Sequence, residues 1–249
     1  VQTDEQVLEV LAECAGSVAE ALKLVTDWGL AGTRPGQHWS DLSADRAGVP
    51  VLVDAGFAVL SEESGWHGRG GSLVAVLDPL DGSTNAERGL PWYATSICVL
   101  DEAGPWVALV RNQVSGRVYS AVRSKGAWRD GSAIRTSGCL SLAGAVVAFS
   151  GYPERHLGWS QYRSLGAAAL DLCAVADGTL DGFATAGGSR LHAWDYLGGW
   201  LVLREAGASV RLEGEDGAGE FTRDGLLQRR MVTAGASPSL LAGIEAALS

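Results

Sequence analysis

Apolar residues recur at helical spacing from the start of the chain. Val7, Leu8, Leu11, Cys14, Ala15, Val18, Leu22 and Val25 follow the i, i+3, i+4 rule, which predicts an amphipathic helix over residues 4–28. A loop rich in Gly, Pro and polar groups covers 29–40. A second helical stretch, about 41–57, is expected to break near Val49-Pro50, where proline suits a first helical turn. The period then shortens. Phe57-Ala-Val-Leu-Ser is a short strand ending on Glu62-Glu63, and the continuous apolar run Gly71-Ser-Leu-Val-Ala-Val-Leu reads as a buried strand. Runs at 93–101, 105–112 and 117–122, with turns at Asp101–Gly104 and Ser115-Gly116, predict a meander, followed by small hairpins or loops over 126–143. The second half alternates: strand 145–149, helix 159–176, strand 181–185, helix 195–206, strands 208–211 and 230–234, helix 237–248. That is α/β wiring after an α+β first half, and it predicts a boundary near 140, with subdomains 1–140 and 141–249.

The 249 residues are 47% hydrophobic and 19% charged, which supports a large core and argues against disorder. A formal net charge of −10 disfavours nucleic acid or an anionic membrane as partner. It also means that a phosphorylated ligand needs local cations, which favours a metal. No stretch approaches the roughly 18–20 apolar residues of a membrane span. The first residues, Val-Gln-Thr-Asp-Glu-Gln, lack the basic and apolar regions of a signal peptide, so a cytoplasmic protein is expected. Cys14, Cys98, Cys139 and Cys173 are widely spaced and read as buried free thiols.

The candidate chemistry centres on Asp78-Pro-Leu-Asp-Gly-Ser-Thr-Asn85. The apolar strand before it would deliver Asp78 to its C-terminal end, and Pro79 holds the chain extended so that Asp78 and Asp81 converge. Gly82, Ser83 and Thr84 resemble a helix start, whose free N–H groups favour a phosphate. Carboxylates beside such a helix start suit Mg²⁺. The same five residues Asp-Pro-Leu-Asp-Gly are also good turn chemistry. Further acids are Glu62-Glu63 at a strand end, Asp45 on the second helix, and Asp195 after Trp194 at a helix start. Taken singly, Glu62 reads as a solvated loop acid and Asp195 as a helix cap. His38, His67, His156 and His192 show no ligand spacing, although His192 lies close to Asp195.

Together, Ser61-Glu62-Glu63-Ser64, the 78–85 block, and Trp194-Asp195-Tyr-Leu-Gly-Gly with Glu205-Ala-Gly-Ala closely resemble the signatures of the inositol monophosphatase family. The segment Leu165–Ala176, including Ala168, resembles that family's helix at the substrate side, and the likeness covers about residues 5–245. The resemblance implies an αβαβα sugar-phosphatase fold and a Mg²⁺-dependent, lithium-sensitive phosphatase that is a homodimer acting on a small phosphorylated metabolite. It implies that Glu62, Asp78 and the Leu80 carbonyl hold a first Mg²⁺. Asp78, Asp81 and Asp195 would hold a second, and a weaker third would sit near Glu62. By the same likeness Ser83, paired with an upstream aspartate best matched by Asp45, orients the attacking water, and Gly82, Ser83 and Thr84 cradle the phosphate. Asp81, Ala168, Thr185 and Asp195 fall on the substrate side, and Trp194 packs beneath the metals.

Two segments depart from the family pattern. The usual Lys-x-x-x-Asp-x-Val-Thr-x-x-Asp approach is replaced by Gly36-Gln-His-Trp-Ser-Asp41-Leu-Ser-Ala-Asp45, so Asp41 rivals Asp45 as the water-orienting aspartate. Thr185 stands where the inositol-specific members carry a glutamate, and a glycine-rich insertion follows it. This weakens the case for an inositol phosphate and leaves a specialised nucleotide or sugar-phosphate phosphatase as the alternative. A phosphometabolite-binding regulator with little turnover is the reading from outside the enzyme class.

Overall fold

Thr3 caps the first helix, α1 (Asp4–Lys23): its hydroxyl accepts from the Gln6 amide while the Gln6 side chain accepts from the Thr3 amide. The computed structural model describes residues 2–68, 72–214 and 221–249, so Gly71 of the anticipated strand lies outside the described residues. The stripe Val7, Leu11, Cys14, Ala15, Val18 and Leu22 is buried as its spacing predicts. The helix stops at Lys23 rather than at residue 28. Val25 and Trp28 still pack on Val18, Leu22, Ala44, Leu80 and Ala86, so their apolar spacing reflects loop packing.

The second helix, α2 (Trp39–Asp54), corrects the expectation of a break at Pro50: the helix runs through it. An internal proline removes one helical hydrogen bond, here to the Arg46 carbonyl, at a usual cost of about 3 kcal/mol. Pro50 and Arg46 both lie on the exposed side, where water can take the freed carbonyl, while Ala44, Gly48, Val49 and Leu52 are buried. Gly48 lets α2 press onto α1, since a Cβ there would lie 3.2 Å from Cys14 Sγ and 3.2 Å from Val18 Cγ2.

Eight strands form the first sheet: β1 (Ala58–Ser61), β2 (Gly65–His67), β3 (Val74–Asp81), β4 (Ala94–Asp101), β5 (Gly104–Asn112), β6 (Val118–Val122), β7 (Gly126–Arg129) and β8 (Ser132–Ala133). Their order is β2-β1-β3-β4-β5-β6-β7-β8, with the anticipated meander in β4–β6 and a single parallel pair, β1 with β3. A short helix, α3 (Ser83–Arg88), follows β3. The second sheet holds β9 (Val146–Ser150), β10 (Gln161–Arg163), β11 (Gly182–Thr185), β12 (Ser209–Leu212) and β13 (Val232–Gly235) in the order β10-β9-β11-β13-β12. Three helices complete the chain: α4 (Ala168–Ala176), α5 (Ala193–Glu205) and α6 (Pro238–Leu248).

The helix expected over 159–176 is helical only from Ala168. Upstream lie β10 and a loop in which Gly166 takes φ +85°, a conformation that ends regular structure. Residues 168–176 are all buried, so no polar face marked where the helix begins. Trp159 is buried against Phe149 at a ring distance of 5.1 Å. Cys14, Cys98 and Cys173 are buried free thiols as anticipated, whereas Cys139 is only half-buried.

Hydrophobic contacts stack these elements in five layers. One face of the first sheet, with Val59, Ala75, Leu77, Ile97 and Val107, carries α1 and α2. Its other face packs through Leu60, Val76, Ala108 and Val110 on α4 and α5, and these helices pack in turn on Ala148, Phe183, Val232 and Ala234 of the second sheet. Leu240 and Ile244 of α6 cover the far side, against Val147, Phe149 and Ala184. The expected αβαβα layering is therefore present, with the two central helices sandwiched between the sheets.

Candidate active site

Because β1 and β3 run parallel side by side, the chain leaving β1 is carried past the end of β3. Ser61 pairs with Leu77, and the Glu62 amide donates to the Leu77 carbonyl at 3.1 Å, which sets Glu62 beside Asp78. The β3–β4 ladder then slips between Asp78 and Asp81, where Pro79 has no N–H to donate. The irregularity is satisfied locally: Thr95 Oγ1 donates to the Pro79 carbonyl at 2.9 Å, and the Leu80 amide donates to Asp78 Oδ1 at 3.0 Å. Asp81 thus emerges at the far end of the bulge, its Oδ2 accepting from the Ala169 amide at the start of α4 at 2.8 Å.

The third contributor arrives on α5. Asp195 sits in its first turn and accepts from the His192 amide at 2.7 Å, the capping role expected of it. Capping leaves the carboxylate free to do more. One oxygen each from Glu62, Asp78 and Asp195 lies within 4.8 Å of the others, a spacing that suits ligation of one cation. What brings Asp195 this close is the Gly198-Gly199 pair. A Cβ on Gly198 would clash with Ser96 of β4, and one on Gly199 would lie 2.7 Å from Leu172 Cβ of α4. Both positions need glycine for α5 to fit between the sheet and α4.

Electrostatics supply the test of fit for a metal. Burial, followed by repulsion from Asp195, Glu63 and Asp41, pushes the Glu62 carboxyl up to about 8. Burial raises Asp195 to about 6 even though the His192 amide and Arg229 act the other way. Asp78 and Asp81 are both raised well above the usual carboxylate range, by burial first and then by neighbouring acids. None of the four forms an ion pair with a lysine or arginine among the described residues. Four crowded carboxyls, Asp78 buried and the other three half-buried, are costly without an ion-paired counter-charge unless something else brings one. An all-oxygen donor set of this kind fits Mg²⁺.

Two cavities flank the carboxylates. The larger, about 520 Å³, is lined by Glu62, Glu63, Leu80, Ser83, Asp41, Gln37, Arg34, His192, Trp194 and Arg229. The smaller, about 190 Å³, contains Asp81, Asp195 and Ala168, with Ser150, Ser164 and Asp171. Gly82, between Asp81 and Ser83, takes φ +89°, and a Cβ there would lie 3.1 Å from both Ala167 Cβ and the Trp92 carbonyl. Thr84, one residue past Ser83, is exposed. Trp194 lines the larger cavity and stacks on His192 at 4.3 Å.

Two anticipated site residues lie elsewhere. Asp45 is buried, and its Oδ1 accepts from Ser61 Oγ and, at 3.0 Å, from Ser64 Oγ, whereas Asp41 is the aspartate that shares the larger cavity with Ser83. Thr185 is buried, its Oγ1 accepting from the Val232 amide at 3.1 Å, and it lines a separate cavity with Gly187, Arg211, Met231 and Glu245. Arg34, Gln37 and Arg229 were not singled out from the sequence. They come from loops without periodicity or motif, so nothing local marked them. Arg34 is tied to Glu63, donating to Oε2 at 2.6 Å, and Gln37 donates to the same oxygen.

The description "Inositol monophosphatase family" matches residues 54–248. A fructose-1,6-bisphosphatase/inositol-1-monophosphatase of Archaeoglobus fulgidus is 33% identical over 225 residues, covering 85% of this chain and 87% of its own. The Nus factor SuhB of Escherichia coli is 33% identical over 190 residues, covering 68% of this chain and 70% of its own. Among solved structures, the extragenic suppressor protein suhB of Bartonella henselae superposes with a TM-score of 0.80 at 27% identity over 98% of both chains. An inositol monophosphatase–fructose 1,6 bisphosphatase superposes with a TM-score of 0.84 at 24% identity over 96% of this chain and 98% of its own, which speaks to the fold. On these grounds the chain belongs to the inositol monophosphatase family.

Proposed function

We propose that this protein is a Mg²⁺-dependent phosphatase that hydrolyses a small phosphomonoester with water as the nucleophile. The observation that carries the reading is the convergence of Glu62, Asp78 and Asp195 within 4.8 Å, with Glu62 in the wall of the cavity that also holds Ser83. Glu62, Asp78, Asp81, Asp195 and the Leu80 carbonyl would hold two to three ions. Bound Mg²⁺ supplies charge neutralisation for the phosphate oxygens and acidifies water at neutral pH.

The chain's own groups do the positioning. Ser83 and Thr84 open α3, and their amides have no partner within the helix, so they are available to phosphate oxygens. The Ser83 hydroxyl would orient the attacking water, and Asp41, which lines the same cavity, would orient that hydroxyl. As water adds to phosphorus, the P–O bond to the alcohol breaks; the leaving oxygen takes a proton, and free phosphate and alcohol result. The smaller cavity beside Asp81 and Ala168 is the place for part of the leaving alcohol. Its Ser150 and Ser164 can hydrogen-bond hydroxyl groups without demanding a charge. Thr185, uncharged where the inositol-specific members carry a glutamate, favours a sugar or nucleotide phosphate over an inositol phosphate. Lithium sensitivity and a homodimer would accompany this reading.

A phosphate-release screen over inositol 1-phosphate, fructose 1,6-bisphosphate, histidinol phosphate and nucleoside monophosphates, with and without Mg²⁺, tests this. Release that depends on Mg²⁺ and is lost in Asp81→Asn is expected. No release from any substrate, or full Mg²⁺-dependent release by Asp81→Asn, would overturn it. Relatives named Nus factor SuhB keep a regulatory role in view, and tight ligand binding without turnover would favour it.

A further inference from the structure

Three cation-bearing side chains line the larger cavity: Arg34, His192 and Arg229. Their charges are not equally available. The Arg34 guanidinium is bonded to the Glu63 carboxylate and to the Glu62 and Glu63 carbonyls, so an anion already occupies it. Arg229 is held differently. Its Nε donates to His192 Nε2 at 2.8 Å, and because that nitrogen accepts, it carries no proton. No acid lies within ion-pair distance of Arg229 among the described residues. Arg229 is therefore clamped by a neutral partner and keeps a full positive charge facing the cavity that contains Glu62, Leu80 and Ser83.

The clamp is built into the fold. The amides and carbonyls of Leu191 and Arg230 exchange hydrogen bonds at 2.9 and 2.8 Å, an isolated bridge that sets Arg229 opposite His192. His192 is the cap residue of α5 and stacks on Trp194, ring planes 22° apart, so the imidazole is fixed relative to Asp195. An exposed arginine usually wanders through many rotamers; this one is tethered at Nε.

We propose that Arg229, positioned by His192, is a specificity-determining contact for an anionic oxygen group of the substrate. This rests on the phosphatase reading above. The chemistry it recognises is a phosphate or carboxylate, taken in the paired N–H geometry that guanidinium offers. That anion is either the phosphoryl group being hydrolysed or a second anionic group on the same substrate, such as the distal phosphate of a bisphosphate. His192 acts through Arg229 and is a positioning residue.

The test compares wild-type, Arg229→Gln, Arg229→Lys, His192→Phe and His192→Gln on matched mono- and bisphosphate substrates. Binding of inorganic phosphate at saturating Mg²⁺ is followed in parallel by calorimetry. Loss of one charge-assisted contact should raise KM about 10- to 100-fold in Arg229→Gln with a smaller change in kcat. If the contact is to the scissile phosphoryl, every substrate and inorganic phosphate weaken together; if it is to a second anion, only the bisphosphates do. His192→Phe should reproduce a part of the loss and His192→Gln, which keeps an acceptor, should restore it. Turnover by wild-type with unchanged KM in Arg229→Gln on every substrate, and unchanged phosphate affinity, would overturn the proposal. Absence of turnover by wild-type itself would instead overturn the phosphatase reading, and inorganic phosphate binding then still reports on Arg229.

Discussion

Gly198 of α5 lies directly against Ser96 of β4, leaving no room for a Cβ between them. Ser96 is the ladder partner of Asp78, and Gly198 is one turn after Asp195 on the same helix. This one contact therefore sets the separation between a strand-borne and a helix-borne carboxylate. Gly198→Ala is expected to push α5 off the sheet. Overpacking of this kind costs about 1–3 kcal/mol. A drop in Tm of several degrees should accompany a weaker Mg²⁺ requirement curve; an unchanged Mg²⁺ dependence would show that the helix position is not critical.

Replacing one of the buried acids should separate stability from function. Asp78 is almost fully buried beside Glu62, Asp81 and Asp195, all of one sign. Asp78→Asn keeps the shape and removes a charge that is unfavourable without metal. In chelator-treated protein Tm is expected to rise by about a few degrees, while phosphate release in Mg²⁺ falls by about 100-fold or more. Thermal melts with and without Mg²⁺ read both effects.

The pH dependence has a definite sign. Glu62 titrates near 4.3 unfolded and about 8 folded, and Asp195 near 3.9 unfolded and about 6 folded. A raised carboxyl pKa means that the folded state binds more protons than the unfolded one inside that window. Metal-free stability therefore falls as pH rises, from about 4 to about 6 for Asp195 and on to about 8 for Glu62. Mg²⁺ binds the ionised form, so its stabilisation should be larger at pH 8 than at pH 6. Melting curves across pH 5–8 check this, and Glu62→Gln should flatten the metal-free slope; an equal slope in that variant would refute the assignment.

The two candidate aspartates on α2 should behave differently. Asp41 lines the cavity with Ser83, whereas Asp45 serves Ser61 and Ser64. Asp41→Asn is expected to lower kcat by about 10- to 1,000-fold with little change in Tm. Asp45→Asn leaves two partly satisfied hydroxyls and should cost about 1–3 kcal/mol of stability. The reverse pattern, from steady-state kinetics and urea unfolding, would assign the water-orienting role to Asp45.

Much of this architecture was readable from residue order. The strand that carries Asp78, though it runs on to Asp81, the Asp-Pro-Leu-Asp segment and the cap at Asp195 announce themselves because each depends on neighbours a few residues away. Where periodicity is lost, reading failed. The uniformly apolar 168–176 could not show its own start, and Pro50 was read as a break because the solvent exposure that makes it tolerable is a property of the packed helix.

Residue order alone specifies the donor chemistry: four acids and a glycine turn, each near a strand end or helix start where local hydrogen bonding places it. Which of them meet was decided only by the tertiary structure. Glu62 reaches Asp78 through a parallel strand pairing, and Asp195 joins them through a helix pressed between two sheets. Asp41 enters the cavity while Asp45 turns to two serines, and Arg229 comes to His192 through a bridge between loops 37 positions apart. Such contacts depend on how layers stack over long sequence separations, and no short-range pattern encodes that.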